Sequence, residues 1–85
     1  MIEIKFDENN KQSLAIDNNV KIGECDYIET ENSWNIIHTE VSNEYQGQGI
    51  ARKLVEIIIE NAKKQNKNII ADCSYAKKVI ENAKK

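Results

Sequence analysis

The chain has 85 residues, of which 40% are hydrophobic and 31% charged, and its formal net charge is −2. That length holds a single domain, 1–85, burying only about 60% of its unfolded surface, and the composition excludes disordered and fibrous classes. No apolar run approaches the about 20 residues needed to cross a bilayer, and a mildly acidic chain is a poor match for nucleic acid, so neither membrane nor nucleic acid is an expected partner.

The first half reads as strands separated by asparagine-rich turns. Ile2, Ile4 and Phe6 alternate with Glu3 and Lys5, the period-two pattern of a half-buried strand. Asn9-Asn10 follows as a turn in which asparagine tolerates positive φ. Ser13 to Ile16 is a second strand and Asp17-Asn18-Asn19 a second turn. Val20 to Glu29 is a third strand, with an irregularity expected at Gly23. After Thr30 to Ser33, Trp34 to Val41 forms a fourth strand rich in β-branched and aromatic residues.

The period then changes. Ile50, Ala51, Leu54, Val55, Ile58, Ile59 and Ala62 fall at helical spacing between Gly49 and about Gln65, with Glu60 and Lys64 placed to pair on the outer face. Lys67-Asn68 ends this helix, and Ile69-Ile70-Ala71 suits a covered strand. Ser74 is placed to cap a last helix from Tyr75 to about Lys84, with Ala76, Val79, Ile80 and Ala83 on one face. The expected class is α+β: an antiparallel four-strand meander followed by α-β-α, in the order β-β-β-β-α-β-α. A right-handed crossover makes the last two strands parallel.

Charge is unevenly spread. Residues 1–44 hold ten acids against three bases, and residues 45–85 hold four acids against nine bases. This pattern fits equally a solvated surface of mixed sign and an anionic ligand on the second half with a cationic one on the first. Cys25 and Cys73 are too few for a disulfide framework, and one histidine makes a zinc site improbable, so no metal is expected. The start, Met1-Ile2-Glu3-Ile4-Lys5, lacks the basic-then-apolar pattern of a secretory signal, and a cytoplasmic location is the expectation.

Gly47 and Gly49 stand between a strand and the long helix, where free backbone N–H groups and the helix dipole favour an anion. A nucleoside-triphosphate loop would need Gly-Lys-Ser/Thr, whereas Ile50-Ala51 follows Gly49. A dinucleotide fingerprint would need a small residue at Arg52 and a repeated βαβ frame, although Asp72 lies about where a ribose-binding acid would be. Gln46-Gly47-Gln48-Gly49-Ile50-Ala51 fits the Gln/Arg-x-x-Gly-x-Gly/Ala signature and resembles the GCN5-related N-acetyltransferases. With His38-Thr39-Glu40-Val41 before it and Cys73-Ser74-Tyr75 after, the chain is similar to their small YjdJ-type branch over essentially its whole length.

The resemblance implies acetyl-coenzyme A as cofactor, its pyrophosphate held by the main chain of Gln46, Gly47, Gln48, Gly49, Ile50 and Ala51. It also implies that the fourth and fifth strands splay to admit the pantetheine arm beside His38, Thr39, Glu40 and Val41. Arg52 and Lys53 are placed to meet the 3′-phosphate, although side chains of this kind on the outer face of a helix are more often simply solvated. The helices and strands that shape the acceptor pocket in full-size members have no counterpart in this sequence. The implied activity is acetyl transfer to a primary amine, on a basic protein or a polyamine. The alternative is a non-catalytic coenzyme A-binding sensor or interaction module, with a dinucleotide-binding fragment third.

Acyl transfer asks for a deprotonated amine, a polarised carbonyl and a protonated leaving thiol. Cys73, before a helix N-terminus, is placed to accept the acetyl group or to contact the thioester. His38 and Glu40 are candidate bases, read as sharing a strand face with Trp34 and Ile36, and Tyr75 is a candidate donor to the departing sulfur. For each of these the plainer reading is structural: a packed cysteine, a hydrogen-bonded histidine, an exposed glutamate, a packing tyrosine. Cys25 and Trp34 read as structural.

Overall fold

A computed structural model describes residues 1–83, and the side chains of residues 1–82. The expected extension of the last helix to Lys84, and the packing of the Ala83 side chain, lie outside the described residues. The elements are β1 (Ile2–Asp7), β2 (Gln12–Asp17), β3 (Val20–Glu29), β4 (Ser33–Val41), a 3₁₀ turn (Asn43–Tyr45), α1 (Ile50–Lys64), β5 (Asn68–Ala71) and α2 (Ser74–Ala83). The strands lie side by side in chain order, β1 to β4 antiparallel and β4 parallel to β5. This is the expected α+β architecture and element order.

The turns follow local chemistry. Asn18 and Asn19 both take positive φ (51° and 66°), which a two-residue hairpin needs to match strand twist. The first turn differs from expectation: Lys11, not Asn9 or Asn10, is left-handed (φ 53°). There Asp7 accepts from the backbone and side-chain N–H groups of Asn10, at 3.3 and 2.8 Å.

Two extra residues set the faces of the sheet. Ala15 faces Gly23 and Ile16 faces Lys21, so Ile22 is extra on β3, one residue before the expected irregularity. Tyr27 faces Ile36 and Asp26 faces His38, so Ile37 is extra on β4. An extra residue reverses the in–out alternation beyond it. Trp34 and Ile36 therefore point into the core, while further on it is Thr39 and Val41 that turn inward and His38 and Glu40 that turn outward. The expectation that His38 and Glu40 share a face with Trp34 and Ile36 is corrected by this bulge.

Helices α1 and α2 touch each other and pack on the inward face. Ile50, Leu54, Val55, Ile58, Ile59 and Ala62 of α1 are buried there, joined by Ala76, Val79 and Ile80 of α2. Trp34 stacks on Tyr27 and Phe6, with ring centroids 4.3 and 5.9 Å apart. Ser13, fully buried, donates from Oγ to the Leu54 carbonyl at 2.8 Å and pins α1 to β2. Along α1 the ion pair found is Arg52–Glu56, 3.3 Å, not Glu60–Lys64.

α1 ends in a Schellman cap. Lys67 N donates to Ala62 O at 2.8 Å and Asn66 N to Lys63 O at 3.1 Å, with Asn66 left-handed (φ 57°) in the place glycine usually takes. β5 is covered on one side only, since Ile70 stays 49% exposed, which corrects the expectation of a covered strand. The outward face of the sheet carries Ile28 and Ile70 among polar side chains.

Candidate functional site

The turn after β4 is held by side chains on both sides. Tyr45 Oη donates to Asp17 Oδ2 at 2.6 Å, tying the 3₁₀ turn to the β2–β3 hairpin. That bond and then the N-terminal ammonium hold the Asp17 carboxyl below its ordinary value. Gln46 Nε2 donates to Val41 O at 3.2 Å and to Asn43 Oδ1 at 3.1 Å, so its side chain braces the loop. Ser42 N donates to Ile22 O at 2.8 Å, fastening the same loop to β3.

Gly47 (φ +83°) and Gly49 (φ +77°) then take left-handed conformations that β-carbons disfavour. Gly49 is the N-cap of α1 and has no side chain with which to satisfy the first turn. The opening bond of the helix runs from Lys53 N to Gly49 O at 3.2 Å, so the amides of Ile50, Ala51 and Arg52 have no acceptor within it. No acid occupies the first turn, and a β-carbon built on either glycine would meet no protein atom within 4 Å. A cavity of about 220 Å³ opens here, lined by Val41, Tyr45, Gln46, Gly47, Gly49, Ile50, Ala51 and Tyr75. Free donors, a positive helix end and room for close approach fit a diphosphate.

Of the residues singled out in sequence, Val41, Gln46, Gly47, Gly49, Ile50, Ala51 and Tyr75 meet at this cavity. Gln48 does not line it, and Arg52 Nε is engaged with Glu56 on the outer face of α1. Tyr45, which sequence reasoning passed over, both lines the cavity and braces the turn.

Beside the cavity the sheet opens. Parallel pairing runs from Ser33↔Asn68 to Ile36↔Ala71 and stops. The N–H groups of Asp72 and Cys73 both converge on Ile36 O, at 3.0 and 3.2 Å, and the chain then turns into α2. From Ile37 onward the β5 side of β4 has no strand partner among the described residues. In place of the expected splay between the fourth and fifth strands, β5 is paired over its whole length and ends at Ala71, so the unpaired stretch of β4 arises where the chain turns into α2.

Cys73 sits just past the end of β5 and caps α2, since Lys77 N donates to its carbonyl at 3.0 Å. Ser74, expected as the cap, is instead the first helical residue. Burial acts to raise the Cys73 thiol, but the Ala76 N–H, the Thr39 hydroxyl and the N–H groups of Tyr75 and Thr39 outweigh it and hold it below its ordinary value. Thr39 Oγ1 lies 3.7 Å from Cys73 Sγ and 3.4 Å from Cys25 Sγ. Cys25 is fully buried, and that burial pushes its thiol up to about 12. The two cysteines thus differ sharply in chemical character.

His38 and Glu40 lie across β4 from Cys73, on the outward face, where His38 Nε2 is 3.5 Å from Glu40 Oε2 and both side chains are exposed. Neighbouring them on β3 are Asp26, opposite His38, and Glu24, opposite Glu40. Burial, followed by the Glu24 carboxylate beside it, pushes Asp26 up to about 6. Glu24, bonded to Asp26 and to Lys21 Nζ at 2.7 Å, is held low. Glu24 and Glu40 line a depression of about 360 Å³. Asp26 carried no signal in sequence, because its pairing with His38 depends on the bulge.

The family profile described as GCN5-related N-acetyl-transferase matches residues 11–85. Among solved structures, a GCN5-like Staphylococcus aureus protein classed with N-acetyltransferases is 38% identical, with a TM-score of 0.71. The match covers 95% of this chain and 79% of that one. A second Staphylococcus aureus protein, of unassigned function and classed with acetyltransferases, is 16% identical, with a TM-score of 0.73 over 100% of this chain and 90% of its own. A Clostridium acetobutylicum protein classed with acetyltransferases and solved with acetyl-coenzyme A is 19% identical, with a TM-score of 0.64 over 89% of this chain and 58% of its own. The chain thus spans most of its small relatives and little more than half of the larger one. No match arises among functionally curated proteins. A matched profile, a shared fold and a signature turn at an open helix end converge, and the chain belongs to the GCN5-related N-acetyltransferase family.

Proposed function

We propose that this protein binds acetyl-coenzyme A and transfers the acetyl group to a primary amine, as a minimal N-acetyltransferase of the YjdJ-type branch acting in a reducing compartment such as the cytoplasm. The observation that carries the reading is the joining of two features in one place. A helix N-terminus with unsatisfied amides opens beside Val41, on the stretch of β4 that β5 leaves unpaired, and a cysteine stands where β5 ends. The Clostridium acetobutylicum protein of the same fold holds acetyl-coenzyme A, which supports the same ligand here.

Bound acetyl-coenzyme A supplies an acetyl group activated as a thioester. The amides of Gly47 to Ala51 hold the diphosphate, with Gln46 and Tyr45 keeping the turn in shape. Val41 and Thr39 border the pantetheine path along the unpaired side of β4. Cys73 offers a sulfur whose ionised form is favoured by two N–H groups of α2, suited to taking the acetyl group before the amine does. As the bond from the acetyl carbon to the coenzyme A sulfur breaks, Tyr75, at the cavity rim, is placed to donate a proton to the departing thiolate. The amine approaches from the outward face, where Glu24 and Glu40 attract its positive charge and His38 or Glu40 removes its proton.

A second reading, a non-catalytic coenzyme A-binding module, is favoured by the openness of that outward face, where both candidate bases, His38 and Glu40, are exposed. Calorimetric titration with acetyl-coenzyme A tests the binding step. Wild type binds, while Gly49→Glu, folded by circular dichroism, loses affinity at least about tenfold, because a carboxylate then stands against the diphosphate. Equal affinity would remove the assigned site. Intact mass after incubation with acetyl-coenzyme A separates the routes. An acetyl adduct in wild type that is absent in Cys73→Ala supports the cysteine route. Full transfer by Cys73→Ala means direct attack by the amine, and binding without transfer to any amine in a broad panel favours the module.

A further inference from the structure

Thr39 stands between two thiols of opposite character. Its Oγ1 is 3.4 Å from the buried Cys25 Sγ and 3.7 Å from Cys73 Sγ, and it faces inward because the Ile37 bulge has reversed the strand. A hydroxyl carries one proton to donate and turns freely about its C–O bond. With Cys73 protonated, Cys73 donates to Thr39 and Thr39 donates to Cys25. When Cys73 loses its proton, that chain of bonds reverses at a single rotor, and the hydroxyl points to the thiolate instead.

We propose that Thr39 is the positioning residue of this switch, its hydroxyl joining the N–H groups of Tyr75 and Ala76 to hold Cys73 Sγ as an aimed thiolate. Cys25 is the resting partner that keeps the hydroxyl in place and does not itself ionise, since burial holds it as a thiol near neutral pH. A threonine is needed here for its methyl as well as its hydroxyl. The methyl limits rotation about the side chain, so the oxygen remains between the two sulfurs.

The surroundings leave the hydroxyl little competition. From α1, the residues packed inward are Ile50, Leu54, Val55, Ile58, Ile59 and Ala62, none titratable. From α2 they are Ala76, Val79 and Ile80, and from β5 Ile69 and Ala71. From β3 the group facing Cys73 is Cys25. On β4, His38 and Glu40 point to the other side of the sheet. Asp72, next to Cys73 in the chain, is turned to Asn35, whose Nδ2 donates to its Oδ2 at 3.0 Å. Lys77 and Lys78 of α2 are exposed, and Tyr75 is partly exposed. Stabilisation of the sulfur anion therefore comes from dipoles, namely N–H groups and one hydroxyl, with no full charge packed against it among the described residues.

The inference rests on the reading of Cys73 as the acyl-accepting thiol, but its test needs no acetyl transfer. The rate of alkylation by iodoacetamide is followed against pH by intact mass, with the adduct located at Cys73 by peptide mass, in wild type, Thr39→Val and Thr39→Ser. Thr39→Val keeps shape and the backbone N–H while removing the hydroxyl. It should slow alkylation at neutral pH roughly tenfold and move the midpoint of the pH profile upward, the effect expected for one hydrogen bond lost to an ion. Thr39→Ser, which keeps the hydroxyl but loses the methyl that restrains it, should move the midpoint far less than Thr39→Val does. Should Thr39→Val fail to fold, Thr39→Ala is read in its place. A wild-type profile in Thr39→Val or Thr39→Ala, or a Thr39→Ser profile displaced as far as theirs, overturns the proposal. Loss of the Thr39 effect would leave acetyl transfer by Cys73 standing. Conversely, full transfer by Cys73→Ala would remove the acyl role while the Thr39 effect on the thiol persisted.

Discussion

Asp26 shows how far one position can depart from its appearance in a string of acids. Set on the outward face between Glu24 and His38, it prefers its proton more in the folded chain than in the unfolded one. Its value rises from 3.8 to about 6, so it contributes stability fully below the lower figure, and that contribution is lost as pH rises through the upper one. Asp26→Asn should therefore be more stable than wild type at pH 7, by about 1 kcal/mol once solvent screening is allowed for, a gain of roughly 4–8 °C in Tm. The difference should vanish by about pH 4, a window set by the two figures for this residue. Thermal melts of both proteins from pH 4 to 7 give the answer, and a constant difference across the range would contradict the assignment. Asp17 and Asp7 work in the opposite direction: hydrogen bonds from Tyr45 and Asn10, respectively, lead in holding their carboxyls low, so their contributions are lost as pH falls. Comparing two variants at each pH cancels those shared terms.

At the scale of elements, the ends of α1 are built by opposite choices. Its N-terminus is left uncapped by a glycine, open to a ligand, whereas its C-terminus is closed by a Schellman motif on Asn66. Asn66→Ala should cost about 1 kcal/mol, and Asn66→Gly should be neutral or slightly stabilising, because only glycine is free of the left-handed penalty. Chemical denaturation of the two variants checks this; equal midpoints would mean the cap carries no strain. Most of this scaffold was legible in sequence. The periodicity from Ile50 to Ala62 gave α1 to within a residue at each end, and Gly47 with Gly49 gave the turn. The faces of β4 were not legible. Ile36 and Ile37 are both apolar and β-branched, so either parity fits, and the bulge is decided by pairing with β3. That one unread residue misplaced His38 and Glu40 and hid the approach of Thr39 to both cysteines. The cap of α2 was misread for a similar reason. Ser74 has the preferred side chain, but the chain bends one residue earlier, where Cys73 N reaches Ile36 O.

At the scale of the whole molecule, one face of the sheet is spent on the core, and the other carries no helix among the described residues. Both helices, the aromatic stack and Ser13 lie on the first, and the carboxylates with His38 lie on the second. Val41, at the end of β4, borders both the cavity at the turn and the acid-lined depression. The proposed function requires the backbone N–H groups of the turn to hold a diphosphate. Backbone amide NMR during titration with acetyl-coenzyme A reads those groups one by one. The largest downfield changes should fall on Gly47, Gln48, Gly49, Ile50 and Ala51, with smaller ones along Thr39 to Val41. Binding with those five amides unmoved and the changes centred elsewhere would contradict it.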